Sequence, residues 1–404
     1  MKEKEDKKQN VPKRRFPGFT EPWEQRRLGD IAEFINGRAY SQDELLSEGT
    51  YPVLRVGNFY TNDSWYFSDL ELEDKYYTEK GDLLYTWSAT FGPHIWNGPK
   101  VIYHYHIWKV VLSDLLNKKF TVQLLEEDKA KILADKNGST MVHITKAGME
   151  KKKIKIPTSV EEQREIGNFL DNFDNLITLH QRKLDDLKLL KKGLLQKMFP
   201  KNGEKIPEIR FPGFTDDWEQ RRLKDISKRI QGNDGRMDLP TLTISAGNGW
   251  MRQEDRFSAN IAGNEQKNYS LLKKGDLSYN HGNSKLAKYG AVFELTDYSE
   301  ALVPRVYHSF RMIKGSSVFI DYLFKTGRPN SELRKLISSG ARMDGLLNIS
   351  YEDFNNITLF IPDEDEQFNI GAFFRQLDSL ITLHQRKLDN LKLLKKGLLQ
   401  EMFV

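Results

Sequence analysis

Few residue combinations in this chain are of types and spacing able to do chemistry. The chain has no cysteine, which excludes thiol nucleophiles, disulfide staples and Cys-ligated zinc. No G-x-x-x-x-G-K-[ST] loop supplies a phosphate cradle, and no G-x-S-x-G elbow is present. Gly247-Asn248-Gly249 reads as a turn without the third glycine of a dinucleotide fingerprint. No two prolines are adjacent, so the Asn/Asp-Pro-Pro-aromatic motif of amino-methyltransferases is absent. Glu73-Asp74-Lys75 and Glu127-Asp128-Lys129 have the carboxylate-lysine character of a nuclease site. With 57 acidic and 62 basic residues, chance supplies such triplets. His104 and His106 read as sharing one strand face, but a third clustered metal ligand is lacking. The pattern argues for a binding protein rather than an enzyme.

Groups suited to polyanions are more abundant. Ile177 to Phe199 carries six Lys/Arg against two Asp, and Ile381 to Phe403 carries five against two acids. A solvated helix face is the ordinary reading of such a run, and a subset facing duplex DNA is the second. Polar, basic and aromatic residues also gather at Gly-flanked turns. In the first half these are Arg38, Tyr40, Arg55, Asn58, Thr86, Ser88, Thr90 and Phe91. In the second they are Arg236, Asn280, His281, Asn283, Ser284, Lys285, Lys288 and Tyr289. Such side chains donate to phosphates and read base edges in the major groove.

The elements that must position them come in duplicate. Ile177–Phe199 and Ile381–Phe403 are identical at 21 of 23 positions, and Val11–Leu28 matches Ile206–Leu223 at 13 of 18. The two inserts between these repeats scarcely resemble each other, although both contain Lys-Gly-Asp-Leu, at Lys80–Leu83 and Lys274–Leu277. Each insert reads as mixed α/β. Tyr51–Val56, Asp82–Thr86 and Val101–Leu112 have strand composition, and Lys118–Ala134 has apolar residues at helical spacing.

Ile156-Pro157 and Ile361-Pro362 end the inserts. Ser159 with Glu162, and Asp363 with Glu366, then fit capping boxes that open long helices. The apolar stripe comprises Ile166, Phe169, Phe173, Leu176, Leu187, Leu190 and Leu194. Its copy comprises Ile370, Phe373, Leu380, Leu391, Leu394 and Leu398. Helices over Glu161–Phe199 and Glu364–Phe403 are predicted, each about 58 Å long at 1.5 Å per residue, with the stripes packed on one another.

This pattern predicts an α+β fold: two mixed α/β domains joined by a pair of long antiparallel helices with pseudo-two-fold internal symmetry. The segments are a disordered tail (1–10), a first domain (11–157), a helix and connector (158–205), a second domain (206–362) and a distal helix (363–404). The repeat reads as a circle cut once, so its first and last segments should meet. His180 and His384 fall at seam positions, where a hydrogen-bonded histidine is the ordinary reading and a pH or metal site the sharper one. The hydrophobic content of 38% supports two cores, the net charge is +5, and no apolar run is long enough to span a membrane. A soluble, cytoplasmic protein is expected.

The repeated order resembles the specificity subunit of type I restriction-modification systems. Trp23–Ile31 (WEQRRLGDI) and Trp218–Ile226 (WEQRRLKDI), the two Lys-Gly-Asp-Leu turns, and the tails from Ile156-Pro157 and Ile361-Pro362 carry the likeness. The resemblance implies that each insert is a target-recognition domain reading half of a split double-stranded DNA site. It implies that the helices are spacers binding two methyltransferase subunits, which a restriction and translocation subunit then joins. No cofactor is implied in this chain; S-adenosylmethionine, ATP and magnesium would belong to the partners. A coiled-coil adaptor without DNA contact and an autonomous nuclease or methyltransferase are the competing readings.

Overall fold

In the computed structural model, the Trp-Glu-Gln-Arg-Arg segments become strands, and each closes on the strand that ends its own insert. The structure describes residues 10–60, 62–88, 90–134, 144–201, 203–258, 263–282, 286–337 and 347–404. Two compact units result: residues 1–181 with 386–404, and residues 182–385.

The first unit contains β1 (Glu24–Arg27), β2 (Ala32–Asn36), β3 (Tyr51–Leu54), β4 (Tyr66–Ser68), β5 (Tyr77–Thr78), β6 (Leu83–Thr86), β7 (Gly92–Ile95), β8 (Val101–Tyr103) and β9 (Ile107–Leu112). Helices α1 (Lys118–Ala134) and α2 (Lys146–Lys151), strand β10 (Lys153–Ile156) and the long α3 (Val160–Lys197) follow. One sheet has the order β2-β9-β6-β7 and another β4-β3-β8-β5, in which β3 and β8 are parallel. Strand β1 pairs antiparallel with β10, Glu24 opposite Ile156.

The predicted single strand over Val101–Leu112 is instead two. β8 belongs to one sheet and β9 to the other, and the Ile107 amide donates to the His104 carbonyl at 2.9 Å across the turn between them. His104 and His106 therefore lie at a sheet-to-sheet crossing and do not share a strand face.

The second unit repeats the plan with β11 (Glu219–Arg222), α4 (Leu223–Ile226), β12 (Ser227–Arg229), β13 (Leu242–Ser245), β14 (Gly249–Arg252), α5 (Gln253–Phe257), β15 (Ser270–Lys273), β16 (Leu277–Asn280), β17 (Ala291–Glu294), β18 (Glu300–Val303) and β19 (His308–Met312). Then come α6 (Ser317–Lys325), α7 (Asn330–Leu336), α8 (Tyr351–Asn355), β20 (Thr358–Ile361) and the long α9 (Glu364–Met402). The sheet order β12-β19-β16-β17 parallels that of the first unit, and β11 pairs with β20 as β1 does with β10. The Lys-Gly-Asp turns need their glycines, since Gly81 and Gly275 have φ of +96° and +92°, a left-handed backbone that side chains disfavour. The following aspartates lock the turns: Asp82 accepts from the Glu79 amide at 2.9 Å and Asp276 from the Lys273 amide at 2.6 Å.

Each unit packs the first half of its own long helix against the last half of the other. In the first unit Asp174 meets Lys395, while Phe403 stacks on Phe120, whose backbone lies against Gly167. In the second, Asp378 meets Lys191 and Phe374 meets Phe199. Later residues of one helix thus lie beside earlier residues of the other, an antiparallel pairing in both units. The Arg14 amide donates to the Glu401 carbonyl at 2.9 Å, and the Ile209 amide to Lys197 at 2.9 Å. The segment before β1 therefore meets the end of α9, as the circular reading of the repeat requires.

The capping boxes are half made. The Ser159 hydroxyl accepts from the Glu162 amide at 3.4 Å and Asp363 from the Glu366 amide at 2.8 Å. The buried Glu162 and Glu366 carboxylates are diverted to half-buried arginines. Glu162 takes two bonds from Arg15 at 2.6 and 2.8 Å, and Glu366 two from Arg210 at 2.7 Å. A guanidinium fork matches a carboxylate better than one backbone amide does.

The stripe residues divide by depth. Ile166, Leu187, Ile370 and Leu398 are buried, and Phe169, Phe173, Leu194 and Phe373 pack against the cores. Leu391 is half-buried, whereas Leu176, Leu190, Leu380 and Leu394 are exposed.

Candidate nucleic-acid interface

The sheet-to-sheet crossing of the first unit assembles a run of aromatic rings from surface to core. Tyr40 lies over His104 with centroids 6.4 Å apart, and His104 meets Tyr105 at 4.4 Å and His106 at 4.9 Å. His106 contacts Trp87 at 4.9 Å, and Trp87 stacks on Trp108 at 5.9 Å in the core. The Trp87 indole N–H donates to the Tyr105 carbonyl at 2.9 Å, which fixes the turn. Burial, then His106 and Arg55, push the His104 imidazole down to about 4. At neutral pH it is uncharged, offering one donor and one acceptor.

Two arginines border this run. Arg38 forms a bidentate pair with Glu44 at 2.9 and 2.6 Å and sits 5.0 Å from the Tyr40 ring. The Arg38 fork, helped by the Ser41 amide, holds the Glu44 carboxyl down to about 2. Arg55 lies 4.2 Å over the Tyr66 ring and donates to the Ser64 carbonyl at 3.4 Å. Asn58 is consumed by its loop, accepting from the Arg55 amide at 2.9 Å and donating to Asn62 and Ser64 at 3.0 Å.

The remaining candidates of this unit separate. Thr86 is buried on β6, with its hydroxyl donating to the Gly92 carbonyl at 3.3 Å, and Phe91 is buried in the core. Ser88 is half-buried and Thr90 exposed. Beside Thr86, His94 lies 3.1 Å from the Tyr60 hydroxyl and stacks on Phe59 at 4.2 Å. Burial and Lys129 push its imidazole down to about 4.

In the second unit Arg236 is shared between Asp234, at 2.9 Å, and Glu300, at 2.8 Å. Asn280 donates to the Ile244 carbonyl at 3.2 Å and accepts from the Gly282 amide at 3.0 Å. His281 is buried, with its ring nitrogens 2.7 and 3.0 Å from the Leu347 and Val306 carbonyls, and it stacks on His308 at 4.8 Å. Burial pushes the His308 imidazole down to about 4. Lys288 is exposed and lies 5.7 Å from the half-buried Tyr289 ring. Asn283, Ser284 and Lys285 lie outside the described residues.

The structure thus brings Arg38, Tyr40 and Arg55 together around the crossing, and Asn280 and His281 to one end of β16. It leaves Thr86, Phe91 and His281 inside. Arg38 and Arg236 already hold carboxylates, so an incoming phosphate would compete for them. Trp87 and Tyr105 stand at the same surface without having been singled out, and His106 was read only as a strand residue beside His104, because Tyr-His-Tyr-His-Ile-Trp contains no Gly, Pro or Asn to betray a turn. In the second unit Arg229, 4.1 Å over Tyr351, was missed for want of any local motif. Among the described residues no group of three or more His, Asp or Glu is placed to hold a metal ion, and no helix is long and apolar enough to cross a membrane.

Comparisons with known proteins fit this geometry. Residues 20–189 match the family described as type I restriction modification DNA specificity domain. The type I restriction enzyme MjaVIII specificity subunit of Methanocaldococcus jannaschii is 27% identical over 213 residues, covering 51% of this chain and 49% of that protein. The putative type I restriction enzyme MjaX specificity subunit of the same organism is 27% identical over 239 residues, covering 53% and 54%. The chain thus spans about half the length of the curated relatives it matches. The crystal structure of the type I restriction-modification S subunit from M. genitalium has the same fold, with a TM-score of 0.62 over 98% of this chain and 99% of that one, at 14% identity.

Proposed function

We propose that this chain is a specificity subunit of the type I restriction-modification kind, whose DNA specificity domain its residues 20–189 match, and that it reads a bipartite, asymmetric DNA site with one half-site per insert. The observation that carries this reading is the pairing of like frames with unlike inserts. In both units the same tryptophan, arginine, glutamate and terminal phenylalanine hold the insert. The surfaces the inserts present differ: an aromatic crossing with Arg38 and Arg55 in one, Arg236, Asn280 and Lys288 in the other.

The long helices serve as spacer and scaffold in this reading. Leucines remain exposed along them, with Leu189 and Leu393 at 70% and 71%, an apolar surface suited to helical partners. Two methyltransferase subunits would bind there, and restriction and translocation subunits would join through them. S-adenosylmethionine, ATP and magnesium would be held by those partners. The chain itself would carry no catalytic group, so the purified subunit should neither methylate nor cleave DNA.

Replacement of residues 30–156 by the insert of another specificity subunit, followed by mapping of methylated sites in cells that supply the methyltransferase, tests the reading. One half-site should change while the other and the spacer stay. A change in both, or in neither, would refute it. Binding of duplex DNA should weaken steeply with salt as phosphate contacts release counterions; a protein-only adaptor would show no such binding.

A further inference from the structure

We propose that the second unit carries a binding site for a phosphate-bearing anion, in the groove between the later part of α3 and the end of α6. The site goes beyond the reading of DNA by the inserts and does not rest on it. The groove is open and about 660 Å³ in volume. Its walls carry Lys188, Lys191 and Lys192 of α3, Lys201 of the connector, and Lys325 and Arg328 at and just beyond the end of α6, with no carboxylate among the lining residues.

Three of these cations are already answered. Lys191 donates to Asp378 at 2.6 Å, Lys325 donates to Asp321 at 2.5 Å, and Lys201 lies 3.7 Å from Glu208. Lys188, Lys192 and Arg328 enter no ion pair among the described residues. The Arg328 guanidinium is pinned to the end of α3, where Nη2 donates to the Gln196 and Phe199 carbonyls at 3.2 and 3.5 Å, and its buried Nε has no partner among the described residues. Carbonyls fix its position without neutralising its charge. Lys188 and Lys192 are exposed and one turn apart, about 6 Å along the axis at 1.5 Å per residue. The pull of a helix C-terminus on cations fades within the last turn, and α3 runs on to Lys197, so the helix end does not account for them. An ammonium serves phosphate as a point charge, and a guanidinium supplies several donors in a fixed plane. Three unanswered cations spread along one groove suit an anion of two or three linked phosphates better than a lone carboxylate.

The repeat supplies an internal contrast. The lysines of α3 recur on α9 as Lys392, Lys395 and Lys396, but the insert helices differ. Gln123 and Tyr322 occupy equivalent places, donating to Asp174 and Asp378. Counted from them, Glu126 stands where the second unit has Lys325, and Glu127 where it has Thr326. Glu126 pairs with Lys129 at 3.5 Å and Glu127 with Lys131 at 3.0 Å. The first insert thus brings two carboxylates to positions at which the second brings a lysine and a threonine. The frame offers the same lysines twice, and the insert confines the anion to the second unit.

The test titrates the full chain with inorganic tripolyphosphate by calorimetry at low salt, beside the double variants K188Q/K192Q and K392Q/K396Q. All four lysines are exposed, so both variants should unfold thermally as the parent does. The parent should bind one tripolyphosphate per chain, less tightly as salt rises. K188Q/K192Q should weaken binding about tenfold or more through loss of two charge-assisted contacts, and K392Q/K396Q by less than about twofold. Two further arms identify the source of the phosphate. If DNA backbone fills the groove, tripolyphosphate should compete with duplex, and K188Q/K192Q should flatten the salt dependence of duplex affinity. If a free polyphosphate fills it, duplex affinity should be the same in the parent and in K188Q/K192Q. No binding by the parent, or equal weakening in both double variants, would overturn the site. A parent chain that binds no duplex would count against the DNA reading alone, and the tripolyphosphate titration would still decide the anion site.

Discussion

Two arginine-glutamate pairs sit at the centre of the frame, and their burial sets their importance. Glu162 and Glu366 side chains are 1% and 0% exposed, those of Arg15 and Arg210 11% and 10%. Removing one partner strands a buried charge, so Arg15→Ala or Arg210→Ala should cost about 3–5 kcal/mol in urea unfolding. The histidines give a second signature. His94, His104 and His308 are all held near 4 in the folded chain against an ordinary 6.5. Below pH 6.5 the unfolded chain binds protons that the folded chain refuses, so stability is full above that value and falls as pH drops toward 4. For His94, the most deeply enclosed of the three, the loss across this window should be on the order of 2 kcal/mol. His94→Gln should flatten the unfolding profile between pH 6.5 and 4; an unchanged profile would contradict the assignment.

At the scale of elements, the glycines of the long helices separate into two kinds. Gly167 leaves room for the Phe120 backbone, whereas Gly193 and Gly397 have nothing near an added Cβ. Gly167→Ala should destabilise by about 1–3 kcal/mol through overpacking, and Gly193→Ala should stabilise by about 0.5–1 kcal/mol through helix propensity. Thermal unfolding of the two variants should move in opposite directions. The ends of the two long helices add a contrast that the repeat makes visible. Lys197 pairs with Glu208 at 2.7 Å, while at the matching place Glu401 pairs with Arg14 at 2.7 Å. These pairs are exposed, so Glu401→Lys should cost no more than about 1 kcal/mol, with Arg14→Glu restoring the loss at low salt and neither change mattering at high salt. The long helices were legible in sequence almost to the residue, because an uninterrupted apolar stripe has one period and sharp ends. The strand break at His104–His106 was not, since β-branched and aromatic enrichment cannot tell one strand from two that cross between sheets. The diversion of Glu162 from its cap was equally hidden, because its partner Arg15 lies 147 residues away in sequence.

For the molecule as a whole, the repeat explains which parts match and which do not. Residues that hold an insert recur in both units, and residues on the presented surfaces do not. Which of the Gly-flanked Arg, Asn and aromatic residues face outward was not legible singly: Thr86 and Phe91 turn inward, while Trp87 and Tyr105 lie beside Tyr40, His104 and His106 without belonging to that set. A ring reaches the surface or the core according to which sheet its strand joins, and pairing between distant strands has no local signature. If the helices act as a ruler, inserting one turn into each should lengthen the spacer of the site and leave both half-sites unchanged. The central claim is that each insert reads its own half-site independently of the other. Methylation mapping of a chain in which residues 30–156 alone are replaced measures this most directly. The account predicts one altered half-site, one retained half-site and an unaltered spacer; alteration of both half-sites would contradict it.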